Sequence, residues 1–252
     1  MIRPRTPEHG RGGRDPIRMD LSDRQDNMPA TPRGERTRKA FLEAAKQVFS
    51  EKGYFNTKIT DISSAAGKST GSFYNYYDNK ESLLEDLAAD FIEKILGRAK
   101  HVHRGDPYVN IKEIVTVYWN TYKEYVPTLI GLFQLSMTDA RFMAKWQELR
   151  RQGVENVIGG IRKAHRDGFA RGIDEHALAS AIMSMLDFFC WTWLANGGEP
   201  GFGPIDDEVA IETLSQVWYR SLYFPVDEKP AKDKAAKDKP AKTPKKSLAP
   251  AE

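Results

Sequence analysis

Apolar residues recur at helical spacing through the middle of the chain. They return every three or four positions in residues 41–49, 83–96 and 111–122, and this spacing places them along one face of a helix. We find no run of alternating apolar and polar residues bounded by hairpin turns, the pattern typical of strands. The hydrophobic pattern therefore predicts an all-α body of about nine helices.

Residues that end or begin helices divide this body. Gly53 is placed to end the first long helix, and Asn79 to cap the fourth. Pro127 interrupts an apolar segment at residues 110–137. Because proline lacks the N–H that a helix interior needs, we expect two helices there, one ending near Val126 and one beginning at Thr128.

Residues 59–80 have an unusual composition for a folded helix pair. They read as a short helix, a tight turn at Gly67 and a second helix opening at Ser69. The second helix has Phe73 as its main core residue and is otherwise rich in hydroxyl groups. A helix of this kind is suited to a surface rich in hydrogen-bond acceptors and phosphates. The stretch therefore predicts a helix-turn-helix whose second helix enters the DNA major groove.

The spacing within residues 57–83 is specific. It reads T-x-I-x-x-I-x-x-A-A-G-x-S-x-G-x-F-Y-x-Y-Y-x-x-K-E-x-L, which resembles the DNA-binding signature of the TetR family of transcriptional regulators. The preceding helix also fits, and residues 164–174 more loosely resemble the junction before the family's dimerisation helices. Lys68 departs from the pattern, because the family usually has an apolar residue there, and Tyr76 replaces the more common histidine.

The resemblance implies roles for individual residues. It assigns phosphate contacts to Thr57, Lys58, Ser69, Tyr76 and Lys80, and positions near base edges to Thr60, Thr70, Gly71, Ser72 and Tyr74. Hydroxyl and lysine side chains suit contacts with the DNA backbone. Residues 70 and 72 lack the Arg, Asn or Gln that form bidentate base contacts. We therefore expect apolar contacts, water and DNA shape to carry part of the specificity.

Two segments near the C-terminus are predicted to form a dimer interface. Residues 174–195, capped by Asp174, are apolar almost all round, and residues 206–224, capped by Asp206, offer a second apolar helix. The family resemblance implies that these helices meet their symmetry mates in a four-helix, isologous interface. Packing inside one subunit is the alternative. The residues assigned to dimerisation are Ile182, Leu186, Phe189, Leu214 and Trp218.

Aromatic and methionine residues are concentrated between residues 118 and 146. Such side chains line adaptable apolar pockets, although ordinary core packing explains them as well. Asp187 is a lone charge in an apolar helix, so we expect it to pair with an arginine across the dimer interface or to meet a polar group of a ligand. The residues assigned to binding a large apolar or aromatic effector are Trp119, Tyr122, Phe133, Trp146 and Asp187.

Composition limits the other classes of function. A single cysteine, Cys190, excludes an intrachain disulfide and suits the cytoplasm, and the pattern predicts neither a secretory signal nor a membrane span. His101 and His103 lack nearby metal-ligating partners, so we expect a solvated pair, no metal and no cofactor. No spacing typical of a catalytic site is present.

The expected domain order is a disordered tail at 1–33, the DNA-binding domain at 34–80, a ligand-binding and dimerisation domain at 81–226, and a Lys/Ala/Pro-rich tail at 227–252. Met19 and Met28 are alternative starts to Met1. Both tails are interpreted as solvated segments, with contact to nucleic acid as the alternative.

Together these features predict a homodimeric regulator, a repressor released from a palindromic operator by an apolar effector. A DNA-binding regulator without a small-molecule ligand, a transcriptional activator and a helical enzyme with a vestigial DNA-binding domain are the alternatives. A cavity of several hundred Å³ in the second domain would favour a ligand, and a filled core would not.

Overall fold

The computed structural model describes residues 31–99, 105–170 and 172–223. Within these ranges the chain forms eight α-helices and no strand, so the all-α prediction is confirmed. A π-helical turn, Trp191–Ala195, extends the seventh helix. The helices are α1 Pro32–Lys52, α2 Ile59–Ala65, α3 Thr70–Tyr74, α4 Lys80–Ala99, α5 Pro107–Ser136, α6 Ala140–Arg166, α7 Glu175–Cys190 and α8 Asp207–Tyr223.

The predicted helix caps are present, because each depends on local chemistry. The side chains of Ser69, Asn79, Asp174 and Asp206 accept hydrogen bonds from backbone N–H groups of the first turns that follow them, at 2.8–3.1 Å. Gly53 closes α1 with φ 74°. These residues therefore satisfy backbone groups that the helix ends leave without partners.

The first helix begins earlier than expected. Thr31 accepts a hydrogen bond from the Gly34 N–H at 3.1 Å, and Pro32 starts α1. Residues 31–33 therefore belong to the folded body and not to the predicted tail. The rest of the predicted tails, together with His101 and His103, lies outside the described residues.

The expectation that Pro127 separates two helices is wrong. The structure has one helix of 30 residues, α5, with Pro127 inside it. A proline in a helix interior costs ~3 kcal/mol, whereas each large side chain that is buried contributes ~1.5–3 kcal/mol. Tyr122, Tyr125, Leu129 and Leu132 flank the proline and are at most 4% exposed. Their burial outweighs the cost of continuing the helix.

Helix α5 runs through the centre of the molecule and contacts α1, α4, α6, α7 and α8. The small N-terminal unit, α1 to α3, is built around Phe41 and Phe73, whose rings meet edge to face at 5.5 Å. Helix α4 continues from this unit and packs along α5. The small N-terminal unit and the larger helical body are therefore joined through both α4 and α5.

Candidate DNA-binding surface and ligand cavity

Helices α2 and α3 form a helix-turn-helix around Gly67. The Lys68 N–H donates to the Ser63 carbonyl at 2.9 Å, and Gly67 has φ 63°. This left-handed conformation suits glycine, because a side chain would be strained there. Phe73 is fully buried and anchors the short α3 on α1. The polar side of α3 is left facing outward.

Most of the predicted DNA-binding residues are accessible on this unit. Tyr74 is 54% exposed, although its ring edge also contacts Phe73. The exposed group consists of Lys58, Thr60, Ser69, Gly71 and Tyr74, and the half-buried group of Thr70, Ser72 and Tyr76. Both groups lie on α2, α3 and the residues next to them, so they are accessible on the helix-turn-helix.

Thr57 and Lys80 occupy different positions. The Thr57 side chain is 3% exposed, and its hydroxyl donates to the Gly53 carbonyl at 2.8 Å. The Lys80 ammonium group donates to the carbonyls of Tyr54 at 2.7 Å and Thr57 at 2.9 Å. It also lies 4.3 Å from the centre of the Tyr54 ring, and burial lowers the pKa of Lys80. Both residues therefore hold the loop before α2 in place.

The N-terminal half of α4 is fastened to the DNA-binding unit. Arg38 of α1 forms a bidentate pair with Asp86, with N···O distances of 2.8 and 2.6 Å. The Tyr77 hydroxyl donates to the same carboxylate at 2.8 Å, and the Tyr54 hydroxyl donates to Glu81 at 3.0 Å. A movement of α4 would therefore carry the helix-turn-helix with it.

A cavity of about 330 Å³ lies between α4, α5, α6 and α7. Four of the predicted effector residues, Tyr122, Phe133, Trp146 and Asp187, line it. Most of the remaining wall is apolar and comes from Phe91, Ile92, Ile95, Leu96, Leu129, Leu149, Met183, Phe188 and Trp191. Its size and chemistry fall in the range typical of small-molecule sites.

Trp119 does not belong to the cavity. It is fully buried, its indole N–H donates to Asp207 at 3.0 Å, and its ring packs against Phe189. It therefore joins α5 to α8. The cavity is lined instead by Tyr118 together with Tyr122, one helical turn further along α5.

Asp187 has its arginine partner in the same chain. Arg150 of α6 donates to Asp187 at 2.8 Å, and the Tyr118 hydroxyl donates to the other carboxylate oxygen. Burial raises the pKa of Asp187, and the bonds from Tyr118 and Arg150 partly oppose this rise. The expectation of an arginine across an interface is therefore wrong. Arg150 lies among many charged residues of α6, and nothing in its sequence context marks it as a cavity residue.

The residues assigned to dimerisation are mostly core residues of the single chain. Ile182, Leu186, Leu214 and Trp218 are at most 4% exposed, and Phe189 is half-buried. The exposed apolar side chains of α7 and α8 are Phe188, Val209 and Val217, at 71%, 55% and 51% exposure. Helical periodicity identified the two helices, and the single chain buries most of the residues assigned to dimerisation in its own core.

Segment Glu175–Ala195 leaves much apolar surface uncovered. It has a mean hydropathy of 1.4, and 28% of its most apolar window is buried. By length and composition alone it could cross a membrane, a test that the core helix of a soluble protein also passes. The segment also contains Asp187, which pairs with Arg150 of α6. A charged pair of this kind is costly inside a lipid bilayer, which argues against a membrane span.

The helix-turn-helix, joined to a helical body that contains an apolar cavity, defines a DNA-binding regulator. Residues 41–87 match the family described as bacterial regulatory proteins, tetR family. The HTH-type transcriptional regulator YdgC of Bacillus subtilis is 35% identical over 172 residues, which cover 66% of this chain and 85% of that protein. The HTH-type transcriptional repressor KstR2 of Rhodococcus jostii is 25% identical, and the match covers 73% of this chain and 89% of the repressor.

Among solved structures, the fatty acid degradation regulator FadR of Bacillus halodurans is similar in fold. The TM-score is 0.59 at 19% identity, and the match covers 76% of this chain and 96% of that one. The chain belongs to the TetR family. It is therefore a DNA-binding transcriptional regulator and not an enzyme.

Proposed function

We propose that the chain is a cytoplasmic, homodimeric repressor that leaves a palindromic operator when a large apolar molecule binds. The observation that carries this proposal is the apolar cavity of about 330 Å³, because its wall includes α4, the helix fastened to the DNA-binding unit. A regulator without an effector has no need for such a cavity beside this helix. KstR2 is named a repressor and FadR a fatty acid degradation regulator, and both names agree with the proposal.

We assign DNA binding to the residues that precede α4, which begins at Lys80. Helix α3 enters the major groove, where Thr70, Gly71, Ser72 and Tyr74 lie nearest the base edges. Lys58, Thr60, Ser69 and Tyr76 approach the duplex from the same surface, while Thr57 and Lys80 hold the loop that presents it. The division into a DNA-binding domain and a ligand-binding domain falls at the start of α4.

The dimer part of the proposal uses the outer faces of α7 and α8. On α7 the exposed residues Ala181, Ser184 and Phe188 follow helical spacing, and on α8 Val209 and Val217 do the same. Two copies related by a two-fold axis bring these faces together in an isologous four-helix interface. Such an interface also covers the apolar surface of segment Glu175–Ala195.

Coupling between the two sites passes through α4 and α5. A ligand in the cavity presses on the C-terminal half of α4 at Phe91 and Ile95, while the N-terminal half holds the helix-turn-helix. A second connection exists where Glu124 of α5 accepts from Lys46 of α1 at 2.6 Å and from Lys94 of α4 at 2.8 Å. A tilt of α4 would change the distance between the two reading heads of a dimer. The operator could then no longer meet both heads.

The test begins by footprinting the protein on genomic fragments to define its operator. Operator affinity is then measured by fluorescence anisotropy with and without a panel of fatty acyl, steroid and aromatic molecules. We expect at least one of them to weaken binding about 5- to 150-fold, the usual range of allosteric coupling. Leu149→Trp, which fills the cavity, should bind the operator normally but lose this response. If no molecule changes the affinity or the fluorescence of Trp146 and Trp191, the effector part of the proposal is wrong.

A further inference from the structure

A charged cluster around Arg150 and Asp187 interrupts the apolar wall of the cavity, which Gln152 and Asn156 also line. Arg150 and Asp187 pair at 2.8 Å, and Tyr118 donates to Asp187 from α5. The second terminal nitrogen of Arg150 donates to the Ser184 hydroxyl at 2.7 Å and to the Ser180 carbonyl at 3.2 Å. Arg150 and Asp187 are the charged residues among those that line the cavity in the described part of the chain. About a third of each side chain remains accessible.

The hydrogen bonds of this cluster leave donors available to a ligand. Both carboxylate oxygens of Asp187 already accept a hydrogen bond. Arg150 has five N–H groups, and its Nε makes no hydrogen bond to a described residue, since its contacts run through the terminal nitrogens. Tyr122 lines the cavity, and its hydroxyl likewise has no partner among the described residues. The complementary group on a ligand is therefore a hydrogen-bond acceptor.

The charges of the cluster decide which acceptor fits. Arg150 and Asp187 cancel, so the wall is neutral overall. A ligand carboxylate would place a second negative charge beside Asp187 in an apolar cavity, where the desolvation of an unbalanced charge is costly. A ligand ammonium group could reach Asp187 only beside the positive charge of Arg150, and its own charge would be unbalanced against the neutral wall. A neutral carbonyl oxygen requires only the available donors.

We propose that the effector is an apolar molecule with a neutral carbonyl oxygen, such as a ketone, ester or thioester, which accepts hydrogen bonds from Arg150 and Tyr122. This inference rests on the proposed function, because it assigns the chemistry of the same cavity. It places the apolar body of the effector against α4 and its carbonyl end between α5 and α6, the helices of Tyr122 and Arg150. The free acid and the amine of the same skeleton should therefore bind less tightly than the carbonyl compound.

The test uses a matched set of long-chain probes of equal length, namely an alkane, a methyl ketone, a methyl ester, a carboxylic acid and a primary amine. Binding to the full chain is followed at neutral pH through the fluorescence of Trp146 and Trp191, which line the cavity, and by calorimetry. We expect the ketone and the ester to bind about tenfold more tightly than the alkane, the size of one hydrogen bond from a charged donor. The acid and the amine should bind more weakly than the ketone.

Variants identify the donors. Arg150→Met combined with Asp187→Asn removes both charges together, so that no unpaired charge remains, and Tyr122→Phe removes one hydroxyl. In both variants the ketone should lose most of its advantage over the alkane. Arg151→Met is the matched control, because Arg151 is the next residue of α6 and pairs with Glu148 and Glu155 instead. It should keep the full advantage.

The outcomes separate this inference from the proposed function. Tighter binding of the acid or the amine, or equal binding of ketone and alkane, overturns the carbonyl inference but leaves an apolar effector in place. An unchanged advantage of the ketone in both variants shows that its oxygen lies elsewhere and also overturns the inference. If none of the probes binds and the wider panel leaves operator affinity unchanged, the effector function itself is wrong.

Discussion

Lys80 illustrates how a single residue can support DNA binding from behind the interface. Its ammonium group bonds to the carbonyls of Tyr54 and Thr57 and therefore fixes the loop before α2. We predict that Lys80→Met lowers operator affinity and also lowers stability by about 1–3 kcal/mol, the cost of leaving buried carbonyls unpaired. Because no phosphate contact is lost, the slope of log affinity against log salt should stay unchanged. Anisotropy titrations at several salt concentrations and thermal unfolding measure both effects.

Lys58→Met provides the comparison. Lys58 is exposed at the start of α2, so a phosphate contact is available to it. Its loss should reduce the salt slope by about one for each subunit while leaving stability nearly unchanged. A reduced slope in Lys80→Met with unchanged stability would show that Lys80 contacts DNA directly.

Tyr74 is the most prominent aromatic side chain on the reading helix, with 54% exposure. Because its ring leans on Phe73 only at the edge, its removal should leave the fold intact. We predict that Tyr74→Ala weakens operator binding about tenfold, within the 1–3 kcal/mol typical of a base contact. Phe55→Ala is the control, since Phe55 is 58% exposed but lies beside Val126 and Ile130 of α5. Equal losses in the two variants would contradict a specific role for Tyr74.

At the scale of helices, α5 and α8 are joined by a polar cluster around Glu212. Glu212 accepts from Lys112 at 2.7 Å, from Tyr108 at 2.5 Å and from Gln216 at 2.9 Å. The bond from Lys112 is the main cause that lowers the pKa of Glu212 from 4.5 to about 2. A carboxyl group with a lowered pKa stabilises the fold above its unfolded pKa, and this contribution disappears as pH falls.

The pH range of this effect lies between the ordinary pKa of Glu212, 4.5, and its lowered pKa of about 2. We predict that Glu212→Gln unfolds at a lower temperature than the wild type at pH 7, and that the difference shrinks as pH falls from 4.5 towards 2. Thermal unfolding followed by circular dichroism measures it. Glu208→Gln, at an exposed position of the same helix, should show a smaller difference at pH 7. If the difference in unfolding temperature between Glu212→Gln and the wild type stays constant with pH, the stability does not depend on the ionisation of Glu212.

Helix limits could be predicted from the sequence where local chemistry determines them. Ser69, Asn79 and Asp174 cap helices because their side chains reach backbone groups only two or three positions away. The continuation of α5 through Pro127 could not be predicted, since it depends on side chains that α1, α4 and α6 cover. At Pro127 the burial of the neighbouring side chains outweighs the low helix propensity of proline.

The candidate sites divide in the same way. The reading helix could be predicted because its motif is contiguous, and the cavity could be predicted in part because Phe133 and Trp146 are large and apolar. The pair of Arg150 and Asp187 joins residues 37 positions apart on two helices. Thr57 and Lys80 fit the family spacing, but their hydrogen bonds show a supporting position that spacing alone does not reveal.

At the scale of the whole molecule, α3 is too short to hold an operator firmly by itself. It has five residues and no arginine, asparagine or glutamine within it, so one reading head provides few specific contacts. Two heads at a fixed spacing bind both half-sites at once, and the second contact then becomes intramolecular. Operator affinity should therefore depend on the exposed faces of α7 and α8, far from the DNA.

We predict that Val217→Glu, at a position 51% exposed on α8, converts the proposed dimer to a monomer, because its two-fold interface would bury two unpaired charges. Sedimentation velocity should show the halved mass, and operator affinity should fall at least tenfold although α3 is unchanged. Met137→Glu is the control, since Met137 is 65% exposed at the turn before α6 and belongs to neither α7 nor α8. A Val217→Glu protein that stays dimeric would place the interface elsewhere. A monomer with full affinity would show that one reading head suffices.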